Sequence, residues 1–323
     1  AIPDHPWVDS SDGAAVRIAI TVIDANTKTG FLARVTEEIE IENGEHEVAL
    51  VHETGHIAPN LSLGAKVGSS VSLASNKHLS NRGITFVGSG FVVSRSEADA
   101  FRSTLPPTFE RVIRPFRNGK DLTQKPRDVF AIDLTGYSLT DVSSNLPEIH
   151  QWLLNTVKPE RDQQKRKIYR DNWWLFAEAR TSFRPALEKL ERYIVTVMTG
   201  SHRWFTFLPE ETLPDQGLIA FAFDDAAVLA VMSSQIHVSW SLALGGRLGM
   251  GNDPRYNNSR CFETFPFPDI KRRDAASTVE RLRDLGEKLD AHRKARQAEH
   301  PDLTLTGMYN VLEKLRKEEP LSD

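Results

Sequence analysis

The sequence predicts an α+β protein, because strand-like and helix-like patterns alternate along most of the chain and only its last part is purely helical. Two alternating apolar and polar segments joined by Asn43-Gly44 predict a β-hairpin, since this dipeptide accepts the positive φ angles of a tight turn. Ser94 followed three residues later by Glu97 is typical of a helix start. Beyond Pro266, two segments repeat apolar residues at helical spacing and predict a helical hairpin.

The remaining elements follow from the same periodicities. The pattern predicts strands at residues 14–23, 33–42, 45–51, 84–93, 129–134, 193–198, 204–208 and 218–223. Helices are expected at residues 94–103, 146–157, 159–170, 183–190, 226–244, 274–298 and 303–317. The run 14–23 is almost continuously apolar, which predicts a strand buried on both faces. Residues 111–127 contain Pro115, Asn118-Gly119 and Pro126 and predict a basic loop.

Composition excludes several classes of protein. The chain has 323 residues and a single cysteine, Cys261, which excludes internal disulfides and any zinc site made only of cysteines. This cysteine usage predicts a reducing, cytoplasmic location. No run of about 18 apolar residues occurs, so no membrane partner is expected. The first residues, Ala1 to Pro6, do not form a signal peptide, and we expect a piece of a longer protein.

Charge is distributed unevenly, although the net charge is only −4. Residues 1–101 carry 7 Lys and Arg against 13 Asp and Glu, or −6. Residues 102–206 carry 18 against 12, or +6, and residues 207–323 carry 15 against 19, or −4. A basic middle between acidic flanks is typical of a phosphate binder with unrelated neighbours. A chance excess on a solvated surface explains the same numbers equally well.

One motif predicts metal chemistry. His52-Glu53-Thr54-Gly55-His56 matches the H-E-x-x-H pattern of zinc peptidases, which requires both histidines on one face of a helix. The preceding residues are strand-like, and Gly55 and Pro59 disfavour a helix. A loop is therefore the preferred interpretation, and a zinc-dependent peptidase using His52, Glu53 and His56 remains an alternative function.

Two polar segments carry side chains suited to reading DNA bases. Gly245 to Pro268 contains four glycines in its first half, together with Arg, Asn and Asp side chains. These are the groups that hydrogen-bond guanine, adenine and the cytosine amino group. Gly200 to Trp204 is a shorter polar turn between two predicted strands. A glycine-rich connection and a plain hairpin turn are the structural alternatives for these two segments.

A third segment, residues 158–170, is rich in lysine and arginine. Its cations are suited to contacting phosphates, while Glu160 and Asp162 favour an ordinary solvated helix face. The doublet Trp173-Trp174 follows, and core packing is a commoner use of such residues than base stacking.

Four stretches of the chain together resemble a known family. These are Trp173 through Ile194, Ser201-His202-Arg203-Trp204, Ser233 through Trp240, and Arg255-Tyr256 through the Phe265-Pro266-Phe267-Pro268 pattern. They resemble the target-recognition region of type II restriction-modification DNA methyltransferases of the single-chain IIG/IIL (MmeI-like) type. The opening, Pro6 to Val16, resembles the end of the methyltransferase domain after its catalytic loop.

The resemblance implies a domain organisation and a function. Residues 1–75 would be the remnant of a methyltransferase α/β sheet, residues 76–268 a mixed α/β target-recognition domain, and residues 269–323 a C-terminal helical tail. The parent would be a site-specific adenine-N6 methyltransferase and endonuclease that uses S-adenosylmethionine, and Mg²⁺ if it cleaves. The sequence lacks the family's methyl-donor and Asn-Pro-Pro-aromatic motifs. The fragment is therefore expected to bind double-stranded DNA, to contact the rest of its parent chain, and to hold no catalytic residue, metal or cofactor.

The resemblance also ranks the site residues. The expected base readers are Asn252, Asp253, Arg255, His202 and Arg203. The residues expected to contact the DNA backbone or to position the readers are Arg247, Tyr256, Trp204, Arg117, Lys120, Lys125, Arg166 and Lys167. A non-catalytic scaffold that binds a protein partner through the C-terminal helices is the third functional class.

Overall fold

The structure is a computed structural model, and it describes residues 1–7, 16–25, 29–41, 46–58, 61–63, 67–248 and 253–318. The strands are β1 (Ile2–Trp7), β2 (Val16–Ile20), β3 (Gly30–Glu40), β4 (His46–Gly55), β5 (Ser80–Arg82), β6 (Val92–Val93), β7 (Ile113–Arg117), β8 (Val129–Ile132), β9 (Arg192–Val197), β10 (Thr206–Pro209), β11 (Leu213–Pro214), β12 (Leu218–Phe221), β13 (Gly246–Leu248) and β14 (Asp253–Arg255). The helices are α1 (Arg95–Thr104), α2 (Gly119–Thr123), α3 (Leu139–Asn145), α4 (Pro147–Thr156), α5 (Lys158–Asp162), α6 (Lys167–Asp171), α7 (Arg184–Leu187), α8 (Ala226–Ser233), α9 (Gln235–Leu244), α10 (Ala276–Glu299) and α11 (Leu305–Arg316). The predicted α+β class is confirmed.

The N-terminal strands form two antiparallel pairs, β1 with β2 and β3 with β4. The predicted hairpin is present, with Glu40 opposite His46, while its turn at Asn43-Gly44 lies outside the described residues. The expectation of a strand buried on both faces at 14–23 is wrong. Strand β2 pairs only with β1, and Val22 and Ile23 just beyond it are 86% and 95% exposed, because no other described element packs over them.

A four-stranded sheet in the order β11-β7-β8-β6 organises the first half of the central region. Helices α1, α3 and α4 cover it and contribute apolar side chains to a core that includes Ala98, Val142, Leu153 and Trp173. The predicted start of α1 is confirmed, since Ser94 and Glu97 form a reciprocal capping box. Burial of Trp173 confirms the core interpretation of this residue.

A second four-stranded sheet, in the order β10-β9-β12-β5, organises the other half. Its three long strands are antiparallel to their neighbours and are almost entirely buried. Helix α8 packs on it through Val228, Leu229 and Met232. The predicted aspartate cap is confirmed at Asp225, whose side chain accepts a hydrogen bond from the backbone of Ala227 at 2.8 Å.

The two predicted C-terminal helices are present, and they pack on the same chain. Helix α10 lies against α8, where Gly286 is required because a Cβ atom there would lie 2.1 Å from the carbonyl oxygen of Ala226. Asp290 on α10 accepts hydrogen bonds from the Thr206 hydroxyl and the Phe207 amide, at 2.6 and 3.1 Å. These groups belong to β10, the edge strand of the second sheet, so α10 covers an edge that would otherwise be open.

Four further predicted elements differ in the structure. The single helix expected at 226–244 is two helices, α8 and α9, because Ser234 between them has an extended backbone. Residues 84–93 do not form one strand, because Val87 and Gly88 adopt positive φ angles of 61° and 131° and break it. The expected loop 111–127 contains β7 and α2, and Asn118 caps α2 rather than forming a turn. The single helix expected at 159–170 is two short helices, α5 and α6.

Among the described residues, no single helix is long and apolar enough to span a membrane. Helices α8 and α9 reach that length and apolar character only when taken together, and their axes are bent by 61° at the junction.

Candidate nucleic-acid interface

The polar turn, defined as residues 199–205, connects β9 to β10 and lies against a second hairpin. Its backbone pairs with β14 at Thr199 and Arg255. The amide of Gly200 donates to the carbonyl of Pro254 at 3.3 Å, and the Ser201 hydroxyl donates to the Asp253 carboxylate at 3.2 Å. Two segments that are about 50 residues apart in the sequence therefore form one surface.

The polar hairpin consists of β13 and β14, which pair with Gly246 opposite Arg255 and Leu248 opposite Asp253. It begins at Gly245, where a Cβ atom would lie 2.5 Å from the Arg255 carbonyl oxygen, so only glycine permits this approach. Residues 249–252 lie outside the described residues, and so does the predicted reader Asn252. We call the polar turn and polar hairpin together the turn–hairpin site.

Three predicted residues lie on the accessible part of this hairpin. Arg247 is exposed, while Asp253 and Arg255 are half-buried. Among the described residues, the Arg255 guanidinium contacts the Met198 sulfur, a weak acceptor, at 3.7 Å. The structure thus places Arg247, Asp253 and Arg255 in one two-stranded hairpin, with Asp253 and Arg255 on one face and Arg247, which pairs with Pro254, on the other.

Arg203 is buried, which is contrary to the predicted base-reading role. Its guanidinium donates to the carbonyl of Val197, to the Thr196 hydroxyl at 3.1 Å and to the carbonyl of Pro254 at 3.0 Å. Burial lowers the pKa of Arg203 to about 10. Its donors are directed into the protein, so Arg203 joins β9 to β14 instead of facing a partner.

Tyr256 and His237 form a buried pair beneath the hairpin. His237 Nδ1 lies 2.9 Å from the Met232 carbonyl, which can only accept, so this nitrogen carries the proton. His237 Nε2 then accepts from the Tyr256 hydroxyl at 3.2 Å. Burial lowers the pKa of His237 to about 4 and raises the pKa of Tyr256 well above its ordinary value. Buried Tyr256 is placed to position the hairpin and not to contact phosphate.

Trp204 and His202 are also covered, again contrary to direct DNA contact. Trp204 is 2% exposed and packs with Val197, Leu218 and Leu305. The His202 side chain is 7% exposed, because helix α11 lies over it. His202 Nε2 lies 2.6 Å from Asn310 Oδ1.

Arg117, Lys120 and Lys125 lie beside the C-terminal tail. Arg117 ends β7 and lines a cleft of about 300 Å³ that α10 and α11 border through Lys294 and Leu305. Lys120 on α2 and Lys125 just after it are exposed. Helix α2 contacts α11, so these cations are close to the same tail helix that covers His202.

Arg166 and Lys167 are exposed on the other basic segment, α5–α6. The Lys167 ammonium forms an ion pair with Asp171, and Arg166 donates to the Tyr169 hydroxyl at 2.8 Å. The contacts described for α6 are with its own segment and do not include the turn–hairpin site. Arg161 of the same charged cluster is buried, and burial lowers its pKa to about 10.

The H-E-x-x-H motif does not have the geometry of a zinc site. Residues 52–55 lie on strand β4, which also corrects the expected loop. A strand rises about 3.3 Å per residue, so residues four apart are separated by about 13 Å along it. His52 stacks on Phe31, and Glu53 forms an ion pair with Arg34 at 3.4 Å. Among the described residues, no group of three or more His, Cys, Asp or Glu side chains is placed to hold a metal ion.

The tail residues at this site were not predicted from the sequence. Tyr309, Asn310 and Glu313 on α11 all contact the His202 ring. The helical periodicity of residues 303–317 predicted a helix, but no local pattern identifies its partner. Helix α11 also carries Thr306, Glu313, Lys314 and Arg316, so polar Asn310 does not stand out in the sequence.

The fold is that of a mixed α/β domain in which a polar turn lies against a polar hairpin. The model of the MmeI target recognition domain matches residues 72–269, and the chain belongs to this family. The resemblance found in the sequence is therefore confirmed. The fold also matches a solved structure of the type IIL restriction-modification enzyme MmeI in complex with DNA, with a TM-score of 0.67 and 16% identity. That match covers 99% of this chain and 40% of the enzyme's chain. No curated protein gave a significant match.

Proposed function

We propose that this chain reads the sequence of double-stranded DNA for a restriction-modification enzyme. The observation that carries the proposal is the family match over residues 72–269, since the name of that family is a target recognition domain. The solved relative is a complex with DNA, which supports DNA as the partner and a larger parent chain as the context.

The turn–hairpin site supports this function chemically. Its polar hairpin carries exposed Arg247 and half-buried Asp253 and Arg255, and side chains of these types reach base edges in the major groove. We assign base reading to Asp253 and Arg255, together with Asn252, and positioning or phosphate contact to Arg247. Arg117, Lys120, Lys125, Arg166 and Lys167 are proposed phosphate contacts, which position the protein without specifying sequence.

The activity of the whole enzyme is a further part of the proposal. We assign adenine-N6 methylation with S-adenosylmethionine, and any Mg²⁺-dependent cleavage, to the rest of a cytoplasmic parent protein. The methyl-donor motif is missing from this sequence, and no group of three or more metal-binding side chains occurs among the described residues. We assign to this chain the binding and orienting of the DNA.

Neither alternative function is supported by an observation. The zinc peptidase requires a helix where the chain has a strand. The scaffold requires free C-terminal helices, whereas α10 covers β10 and α11 covers the polar turn.

The test is fluorescence anisotropy with a pool of short duplexes, repeated over a salt series. We expect affinity to fall steeply with salt and one short sequence to be enriched from the pool. Equal affinity for all duplexes at every salt concentration would contradict a recognition function for this chain.

A further inference from the structure

The tail helix α11 contacts the polar turn although it lies beyond the residues that the family model matches. His202 is held from three directions: its ring stacks on Tyr309 with centroids 5.7 Å apart, its Nε2 lies 2.6 Å from Asn310 Oδ1, and its Nδ1 lies 3.4 Å from Glu313 Oε1. An amide oxygen only accepts, so the Nε2–H group donates to Asn310.

The same turn contacts the polar hairpin on its other side. Residues next to His202 bind β14 directly, through Gly200 to the Pro254 carbonyl and through Ser201 to the Asp253 carboxylate. A continuous series of contacts therefore leads from Asn310 through His202 and Ser201 to Asp253. Arg203 adds a second connection, since it too donates to Pro254.

Helix α11 is itself held in place, which a positioning element requires. Leu305 at its start is 4% exposed and packs on Trp204 in the core beneath the turn. Arg293 on α10 donates to the Tyr309 hydroxyl and, at 2.8 Å, to the Phe205 carbonyl at the end of the turn. The polar turn thus contacts helices α10 and α11 on one side and strand β14 on the other.

We propose that Asn310 is a positioning residue for base recognition, so that the C-terminal tail is part of the specificity module. This inference rests on the proposed function. Asn310 acts through His202 and the polar turn on the orientation of Asp253 and the neighbouring Arg255. Loss of Asn310 therefore changes how well the protein distinguishes bases, whereas its contacts with phosphates stay intact.

The test compares Asn310→Ala with the wild-type chain on the preferred duplex and on duplexes with single base-pair changes. The measured quantity is the dissociation constant for a changed duplex divided by that for the preferred duplex. We expect this ratio to fall by about 3- to 10-fold at one base pair, the size typical of coupling through packed contacts. The dependence of affinity on salt should not change, because no cation is removed. Asn310→Asp keeps an acceptor oxygen for His202 and should retain the wild-type ratio.

Val311→Ala is the matched control, since Val311 is the next residue on α11 and is 44% exposed. Thermal melts of all variants identify any loss of folding. If the wild-type chain selects no sequence, the proposed function fails. If the wild-type chain is selective and Asn310→Ala has the same ratio as Val311→Ala, the inference alone is overturned.

Discussion

The turn–hairpin site and the α5–α6 segment are stabilised in the same way but carry different kinds of exposed side chain. Each is built on a buried arginine whose guanidinium donates mainly to backbone carbonyls. Arg203 binds the carbonyls of Val197 and Pro254, and Arg161 binds those of Tyr169, Phe86 and Leu175. No carboxylate forms an ion pair with either one among the residues that the structure describes.

The difference lies in which residues each arginine holds. Arg203 joins the polar turn to the strand that carries Asp253 and Arg255, so it determines the position of side chains suited to reading bases. Arg161 joins short helices whose outward side chains, such as Arg166 and Lys167, are exposed cations. Sequence recognition requires accurate geometry, whereas phosphate attraction requires only charge nearby. The two regions should therefore respond differently to substitution.

The largest effect is expected from removing either buried arginine. Arg203→Met and Arg161→Met should each lower the free energy of unfolding by about 2–4 kcal/mol, since buried acceptors lose their donors. Urea denaturation measures this, with exposed Arg166→Met as the control at under about 0.5 kcal/mol. At a temperature where both remain folded, only Arg203→Met should reduce base discrimination. If both variants lost base discrimination equally, the turn–hairpin site and the α5–α6 segment would not differ in their role in sequence recognition.

Acid should destabilise the turn–hairpin site through His237. Its pKa is about 4 in the folded chain against about 6.5 when unfolded, so the unfolded state binds the proton first. Its contribution to stability is complete above pH 6.5 and falls by about 3 kcal/mol as the pH drops from 6.5 to 4. Urea midpoints at pH 7, 6 and 5 measure the slope, which His237→Gln should flatten and exposed His300→Gln should leave unchanged. An unchanged slope in His237→Gln would assign the acid sensitivity to other groups.

Arg255→Ala should relax recognition at one position of the DNA site. A good bidentate contact discriminates between bases by about 1–3 kcal/mol, which corresponds to about 5- to 150-fold in relative affinity. Anisotropy with duplexes changed at single base pairs measures the effect. Uniform weakening on every duplex would instead make Arg255 a phosphate contact.

The smallest effect is expected on α6. Lys167→Ala should weaken binding to all duplexes alike and lower the slope of log K against log salt by about 0.9. Lys288→Ala on α10 is a matched control, because both lysines are more than 70% exposed and each forms an ion pair with an aspartate four residues away. If the two variants bind alike, α6 lies outside the DNA interface.

Local patterns in the sequence predicted much of the fold. The capping box at Ser94, the aspartate cap at Asp225 and the two C-terminal helices are all present, because each depends on residues within a few positions of one another. The prediction that the strand at 14–23 is buried on both faces was wrong for the opposite reason, although strand β2 is present there. Burial depends on what packs against a strand, and an apolar run contains no information about its neighbours.

The sequence by itself determined the family, the alternation of strands and helices, and the two polar segments at 200–204 and 245–258. Only the tertiary structure decided which cations are exposed, because the sequence alone does not distinguish a buried arginine from an exposed one. Arg203 and Arg161 find carbonyl partners contributed by residues brought together on folding. The contact between Asn310 and His202 spans 108 residues, so it follows from the packing of α10 and α11 and from no local pattern.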